Sequence, residues 1–249
     1  MLQFMAASPL LAQSALAEGL RPSDPVDWAP RDLDKLIADP REALDVFDFE
    51  PVMRQKVPPA HFGYMATGTD GEITLRANRA GFGKFALRPR RLVDVSRVDM
   101  TVEIFGAKYD SPIAIAPTGS NRAFHDDAEV AVAKAARAGN HLQMLSTVAT
   151  TSIEDAIKAR GAPIWFQLYT TQRWTVAEAL VKRAEAAGAP AIAVTLDVTS
   201  PAKWTTFSRL RRDDTRECGG CHGANQYLAR KPNFTGIALA ASAARSSPI

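Results

Sequence analysis

The sequence has few cysteines, no excess of charge of one sign and no long apolar run. Its two cysteines, Cys218 and Cys221, cannot form a disulfide framework and are therefore a local feature. Lys and Arg (30) nearly balance Asp and Glu (27), so nothing in the charge predicts nucleic acid binding. Neither a G-x-G-x-x-G nor a Walker loop occurs. What remains, 46% hydrophobic and 23% charged residues over 249 positions, is typical of a globular protein.

The first region, residues 1–20, is apolar and ends in small residues that are typical of a signal-peptide cleavage region. No Lys or Arg precedes the apolar run, however, and the run is too short and interrupted to span a membrane. Two interpretations stay open. An export signal without its charged start predicts a periplasmic protein, and a hydrophobic N-terminal helix predicts a cytoplasmic one.

The second region, residues 21–110, is predicted to be a lead-in of short helices and one hairpin. Pro and Asp are frequent at its start, and short helices are predicted near 32–37 and 50–55. Two more helices are predicted between Ala60 and Arg79, the second starting at Asp70 or Thr74. The alternating pattern that follows, with Gly106 at a turn, predicts a β-hairpin.

Residues 111–197 alternate short apolar strands with amphipathic helices. The strands are "PIAIAPTG", "HLQMLST", "PIWFQLYT" and "PAIAVTLDV". Gly139 and Gly188 mark helix ends, and Ser152 is a predicted N-cap. Continuous apolar strands between helices predict a parallel sheet. Residues 198–249 show no further unit of this kind and are predicted to be a loop and an irregular tail.

Each of the four strands ends in polar or turn residues. In chain order these are Pro117, Thr118 and Gly119; Ser146 and Thr147; Gln167 and Tyr169; Thr195 and Asp197. Sites built from several strand ends are typical of barrels, whereas open sheets bind ligands at one switch point. We therefore predict an α/β fold of the (β/α)8 TIM-barrel class, represented by about four units.

Six motifs in this order carry a resemblance to a known family: "GYMATG", "RPRRLVDVSRVDM", "PIAIAPTG", "LSTVAT", "FQLY" and "VTLD". The chain resembles the N-terminal half of the FMN-dependent 2-hydroxy-acid dehydrogenases and oxidases, which include glycolate oxidase, flavin-type L-lactate dehydrogenase and mandelate dehydrogenase. The resemblance covers residues 49–197 well and continues more loosely beyond them. It implies FMN as cofactor and the oxidation of a small L-2-hydroxy acid to the 2-oxo acid.

The resemblance also implies roles for individual residues. Tyr64 would hold the substrate carboxylate, Tyr169 would lie near the substrate hydroxyl, and Asp197 would orient a catalytic histidine. The turn that passes along the flavin ring, where a small residue lets the backbone approach, is Pro117, Thr118 and Gly119. The groups that hydrogen-bond the ring heteroatoms are Ser146, Gln167 and Thr195.

The histidine base, the arginine for the substrate carboxylate and the lysine near the flavin belong to later strands of the family, which these 249 residues do not include. His61 and His141 are expected away from the carboxyl edge of the sheet, and His125 in a structural loop. Activity is therefore expected to need a complementing C-terminal half or an oligomer. A half-barrel scaffold without catalysis is the alternative. Oxygen, a quinone and a cytochrome all stay open as electron acceptor.

The stretch "CGGCHG" has the Cys-x-x-Cys-His pattern of covalent haem attachment. Cys218, Cys221 and His222 would anchor and ligate the haem, which predicts an electron-transfer protein as a further alternative. As a zinc site the cluster offers at most three ligands, so no metal site is predicted. A simple loop or a redox pair is the favoured interpretation.

Overall fold

The computed structural model describes residues 36–196, 203–216 and 227–239. Residues 1–20, most of the predicted helix at 32–37, Asp197 and the haem-type cluster at 218–222 lie outside this part of the chain. Within it, no helix has both the length and the hydropathy to cross a membrane.

Three helices of the lead-in are α1 (Phe49–Lys56), α2 (Pro59–Ala66) and α3 (Ile73–Gly81). The helix expected near 50–55 is therefore confirmed. Pro59 suits the first position of α2, where a backbone N–H is not needed. The predicted start of α3 at Asp70 or Thr74 is wrong. Glu72 precedes it in a left-handed conformation (φ 59°), held by hydrogen bonds of its carboxylate to Gly68 and Thr206.

The predicted hairpin is confirmed as strands β1 (Val102–Ile104) and β2 (Ala107–Tyr109), which pair antiparallel. Phe105 and Gly106 both have positive φ, 49° and 76°, as a tight two-residue hairpin turn requires. The ring of Phe105 stacks on Trp165 with centroids 5.3 Å apart, so the hairpin turn lies against the parallel sheet.

The parallel sheet contains β3 (Ala114–Ile115), β4 (Leu142–Ser146), β5 (Trp165–Tyr169) and β6 (Ile192–Thr195), in the order β3-β4-β5-β6. The helices between them are α4 (Ala128–Ala138), α5 (Ile153–Arg160) and α6 (Trp174–Ala186). Each strand pairs with the next in sequence, as in a barrel, and the described strands do not close on themselves. This confirms an incomplete barrel. Strand β3 is shorter than its apolar run suggested and pairs only with β4.

The caps predicted from sequence are present. Ser152 accepts a hydrogen bond from the Asp155 amide (3.1 Å) at the start of α5. Gly139 follows the last residue of α4, and Gly188 lies just past α6 with φ 88°. Ser152 fixes where α5 begins, and the two glycines fix where α4 and α6 end and therefore where the chain leaves each helix for the next strand.

The apolar core lies between the sheet and its helices. Leu145, Phe166 and Leu168 on the strands pack with Ile153 of α5 and Leu180 of α6, and each is at most 6% exposed. Because side chains alternate across a strand, the neighbouring residues of β4 and β5 face the opposite side of the sheet. That opposite face carries the polar strand-end residues.

The part of the chain predicted to be an irregular tail contains ordered structure. Helix α7 (Thr205–Leu210) packs on α2, with Leu210 Cβ and Phe207 Cα each 3.1 Å from the position that a Cβ on Gly63 would take. Residues 227–239, here called the C-terminal segment, form two 3₁₀ turns, Leu228–Arg230 and Pro232–Phe234. Arg183 of α6 binds the Pro232 carbonyl at 2.8 Å and secures this segment.

Candidate active site

Three polar residues meet on the inner face of the sheet at its carboxyl edge: Ser146, Gln167 and Thr195. The Gln167 side chain spans two strands, since Nε2 donates to Thr195 Oγ1 (2.7 Å) and Oε1 accepts from the Thr147 amide (3.3 Å). Ser146 and Gln167 are only 2% and 3% exposed. These contacts, with the register pairing of Ser146 and Gln167, bring residues from the ends of β4, β5 and β6 together.

Thr147 joins strands β4 and β5 beyond their regular pairing. Its hydroxyl donates to the Gln167 carbonyl (2.5 Å) and accepts from the Tyr169 amide (2.9 Å). The side chain is 1% exposed, so both bonds are shielded from water. The sequence places Thr147 at a strand end without indicating a role, and its hydrogen bonds show that it orients Gln167 and Tyr169.

The turn after β3 approaches the end of β4 closely at Gly119. A Cβ on Gly119 would lie 2.6 Å from Val148 Cγ2 and 3.4 Å from Ser146 Oγ, so a larger residue does not fit without movement. Thr118 is exposed, and Pro117 is half-buried. The turn therefore presents its backbone at the carboxyl edge, beside Ser146.

Tyr64 reaches the same edge from α2. Its ring makes edge contacts with Trp204 and Phe207, with centroids 5.6 and 6.3 Å away. Burial raises the pKa of Tyr64, and the nearby phenols of Tyr227 and Tyr169 raise that pKa further. The three tyrosines therefore share one environment, in which Tyr64 stays a neutral hydrogen-bond donor at neutral pH.

Helix α2 is held in place by a carboxylate that is remote in sequence. Asp214 accepts a hydrogen bond from the Ala60 amide (3.1 Å) in the first turn of α2 and pairs with Arg216 at 2.7 Å. Hydrogen bonding to Arg216 lowers the pKa of Asp214 well below its ordinary value. A negative charge at a helix N-terminus is favourable, so Asp214 stabilises the helix that carries Tyr64.

One histidine, His61, does not lie where the sequence predicts. His61 Nδ1 donates to the Ala123 carbonyl (2.7 Å), in the 3₁₀ turn that follows Ser120, so the expectation that His61 lies away from the carboxyl edge is wrong. The reason is that α2 packs over this edge. His141 lies at the start of β4, with Nδ1 3.3 Å from Ser111 Oγ, and His125 accepts from the Asp127 amide in a loop.

Sequence reasoning missed three residues of the C-terminal segment. Lys231 is 6% exposed and donates to Ser120 Oγ (2.6 Å), while the Tyr227 hydroxyl lies 3.1 Å from the same oxygen. Asn233 is fully buried and contacts the Ser146 and Thr147 carbonyls. Their surroundings in sequence, "QYLARKPNF", look like a solvated loop.

Comparison with known proteins places this geometry in a family. The family described as FMN-dependent dehydrogenase matches residues 53–218. The chain belongs to this family. Glycolate oxidase 1 of Zea mays is 40% identical over 156 residues, which are 63% of this chain and 42% of that protein. L-lactate oxidase of Lysinibacillus sphaericus (strain C3-41) is 40% identical over 170 residues, 68% of this chain and 42% of that protein.

Solved structures of mandelate oxidase have a similar fold. One, with (S)-2-phenylpropionate, superposes with a TM-score of 0.61 at 34% identity, over 65% of this chain and 48% of that one. The chain thus spans less than half the length of the relatives it matches. The match confirms the resemblance that the six motifs carry and the barrel class that the strand ends predicted.

The residues at the carboxyl edge fit the cofactor on which this family depends. Among the described residues, no acceptor is present for the hydroxyl hydrogens of Ser146 and Thr195 or for the second amide hydrogen of Gln167. Three free donors on one face suit the acceptor atoms along a flavin ring. Across the described ranges no group of three or more His, Cys, Asp or Glu could hold a metal ion.

Proposed function

We propose that this chain forms one wall of an FMN-dependent enzyme that oxidises a small L-2-hydroxy acid to the 2-oxo acid. The observation that carries the proposal is the convergence of Ser146, Gln167 and Thr195 with Tyr64 and Tyr169 at one edge of a barrel sheet. Membership of the family supports the cofactor, and the oxidases of glycolate, lactate and mandelate support the substrate class.

In this proposal the chain's own residues position the two reactants. The backbone of Pro117–Gly119 supports the ring, and Ser146, Gln167 and Thr195 donate hydrogen bonds to its edge. Tyr64 donates to the substrate carboxylate, and its raised pKa keeps it from becoming a phenolate that would repel that carboxylate. Tyr169, 37% exposed at the end of β5, faces the substrate hydroxyl. FMN, when bound, takes up the two electrons of the oxidation.

Completion of the site is part of the proposal. The outward side of β6 leaves Val194 49% and Leu196 87% exposed, unlike the helix-covered β5. An apolar strand face of this kind favours packing against further β/α units, from a complementing half or a second copy. We expect the base for the hydroxyl proton, Asp197 as its partner, and the electron acceptor to act in that completed assembly. Its location, periplasm or cytoplasm, follows from whether residues 1–20 are an export signal.

The first test is flavin binding by the purified chain, followed by quenching of FMN fluorescence and by the visible absorption spectrum. Thr195→Val removes one donor and is expected to weaken FMN binding about tenfold, since a hydrogen bond to a ligand edge contributes about 1.4 kcal/mol. Thr175→Val, the same change on the exposed outer side of α6, is the control. Equal affinity for FMN in both variants and the parent chain would contradict the proposed site.

Substrate class is tested by anaerobic bleaching of the bound flavin with L-lactate, glycolate and L-mandelate, with and without a C-terminal half from a family member. Bleaching only in the complemented sample is expected. A Soret band in the purified chain would instead favour the haem alternative at Cys218, Cys221 and His222. A sample that binds no FMN even when complemented would favour the scaffold alternative.

A further inference from the structure

The C-terminal segment buries a lysine against the turn that follows β3. Lys231 is 6% exposed, and its ammonium donates to Ser120 Oγ (2.6 Å) and lies 4.5 Å from the centre of the Tyr227 ring. None of the described carboxylates forms an ion pair with it. Among the described residues, Glu129 on the first turn of α4 is the acid whose charge favours the ammonium form, and Tyr227 is the other titratable group that faces it.

Burying an ammonium group without an ion pair is unfavourable. We therefore infer that the buried Lys231 ammonium has a role that offsets this cost. Burial lowers the pKa of Lys231 to about 8. The cation–π contact and the hydrogen bond offset part of this cost. Solvation in water would stabilise the Lys231 ammonium more than burial does. We therefore attribute its burial to the turn after β3, which it contacts.

Ser120 needs support because its backbone is strained. It has a left-handed conformation (φ 59°, ψ 34°), which is unfavourable for a residue other than glycine. Its amide donates to the Val148 carbonyl (3.2 Å), and the next amide, of Asn121, donates to Glu129 (3.2 Å). Glu129 is itself 2% exposed and also accepts from Thr150 and Thr151. Lys231 adds the contact on the side-chain oxygen.

We propose that Lys231 is a positioning residue for the flavin turn, acting through the Ser120 hydroxyl. The inference rests on the proposed FMN site, because the residues directly before Ser120 are Pro117–Gly119. Lys231 and Val148 both bind Ser120, so the backbone at Gly119 stays in close contact with the end of β4. The flavin ring is proposed to lie beside this backbone. Without the lysine contact, the strained turn relaxes away from that position.

The C-terminal segment thereby supports two parts of the proposed site at once. Asn233, two residues after Lys231, donates to the carbonyls of Ser146 and Thr147 at 3.3 Å each. Lys231 holds the turn after β3, and Asn233 holds the end of β4. The two contacts fix the distance between the turn and Ser146. A bound flavin ring is proposed to contact both.

The test compares Lys231→Met, Ser120→Ala and the double variant by their dissociation constants for FMN. Each single change is expected to weaken binding about tenfold or more, and the double variant no more than Ser120→Ala alone, because Ser120→Ala already removes the lysine contact together with the Tyr227 contact. Independent effects, which multiply to about a hundredfold, would overturn the proposal. So would an unchanged dissociation constant in Lys231→Met. Lys158→Met, on the exposed side of α5, is the matched control.

Two further measurements separate positioning from simple stabilisation. Ser120→Gly relieves the backbone strain but loses the hydroxyl, so it is expected to bind FMN as weakly as Ser120→Ala while unfolding at a higher urea concentration. The visible circular dichroism of bound FMN is expected to change in all three single variants and not in Lys158→Met. A change in unfolding alone, with the same FMN spectrum, would contradict a positioning role.

Amide hydrogen exchange in residues 118–122 decides the case even if the chain binds no FMN. Faster exchange of this stretch in Lys231→Met and Ser120→Ala, with β5 unchanged, is expected from the loss of the contact. If FMN binding fails even in the complemented sample while this exchange responds, the proposed function fails and the lysine contact stands. Exchange that does not respond would refute the contact itself.

Discussion

Replacing Asn233 by alanine is expected to destabilise the folded chain by about 3–5 kcal/mol. Asn233 is fully buried, accepts from the Ile153 amide (3.0 Å) and donates to the Ser146 and Thr147 carbonyls (3.3 Å each). The two donated bonds contribute about 1 kcal/mol each. The Ile153 amide, on a residue 1% exposed, would be left without an acceptor, which costs about 1–3 kcal/mol.

The assay is urea unfolding at pH 7, followed by far-ultraviolet circular dichroism. Asn78→Ala, an exposed change on α3, is the control and should stay within about 0.5 kcal/mol of the parent chain. Asn233→Asp keeps the volume and the acceptor for Ile153 but turns an oxygen toward two carbonyls, so it should be as destabilising as alanine. If Asn233→Ala loses less than about 1 kcal/mol, the reasoning from buried hydrogen bonds is refuted.

Two pH-dependent predictions follow from carboxyl and amine groups at the same edge. The pKa of Asp214 is lowered in the folded state, so its stabilisation is present above the unfolded pKa of 3.8 and is lost as pH falls below it. Asp214→Asn should therefore flatten the stability curve between pH 5 and 2 in acid unfolding, and an unchanged curve would contradict the Ala60 and Arg216 contacts. The pKa of Lys231 is about 8 when folded and 10.5 when unfolded, so the unfolded chain binds more protons between these values. Stability attributable to Lys231 should thus rise by about 3 kcal/mol from pH 8 to 10.5, and this rise should be missing in Lys231→Met.

The sheet and its helices were predictable because their signals are local. Apolar runs such as "PIWFQLYT", the cap at Ser152 and the glycines after α4 and α6 specify the alternation of strands and helices. The strand-end residues followed from that alternation, since parallel strands bring their carboxyl ends to one edge. Hence Ser146, Gln167 and Thr195 were expected together. A hydrogen bond joins Gln167 to Thr195, and the strand register places Ser146 beside Gln167.

The residues that support the carboxyl edge could not be predicted, because their contacts are with parts of the chain that are distant in sequence. Glu72 rather than Asp70 precedes α3, since Thr206, more than 130 positions away, binds its carboxylate. His61 lies at the carboxyl edge because α2 packs across it. Lys231 follows Arg230 in a basic, polar stretch, and only the packed chain distinguishes the buried residue from the exposed one.

The apolar core between sheet and helices and the polar contacts at the carboxyl edge are therefore stabilised by different forces. The two forces differ in whether they can set the position of a loop. Phe166 and Leu180 bury apolar surface between sheet and helices, and such contacts have no preferred direction, so they favour compactness without setting the position of a loop. Glu129, Asn233 and Lys231 bury polar groups whose hydrogen bonds are directional. The turn after β3 is proposed to hold a flat cofactor at a set distance, and directional contacts suit that role. Glu129, Asn233 and Lys231 lie around the turn after β3 and the end of β4, where the motifs "PIAIAPTG" and "LSTVAT" also lie.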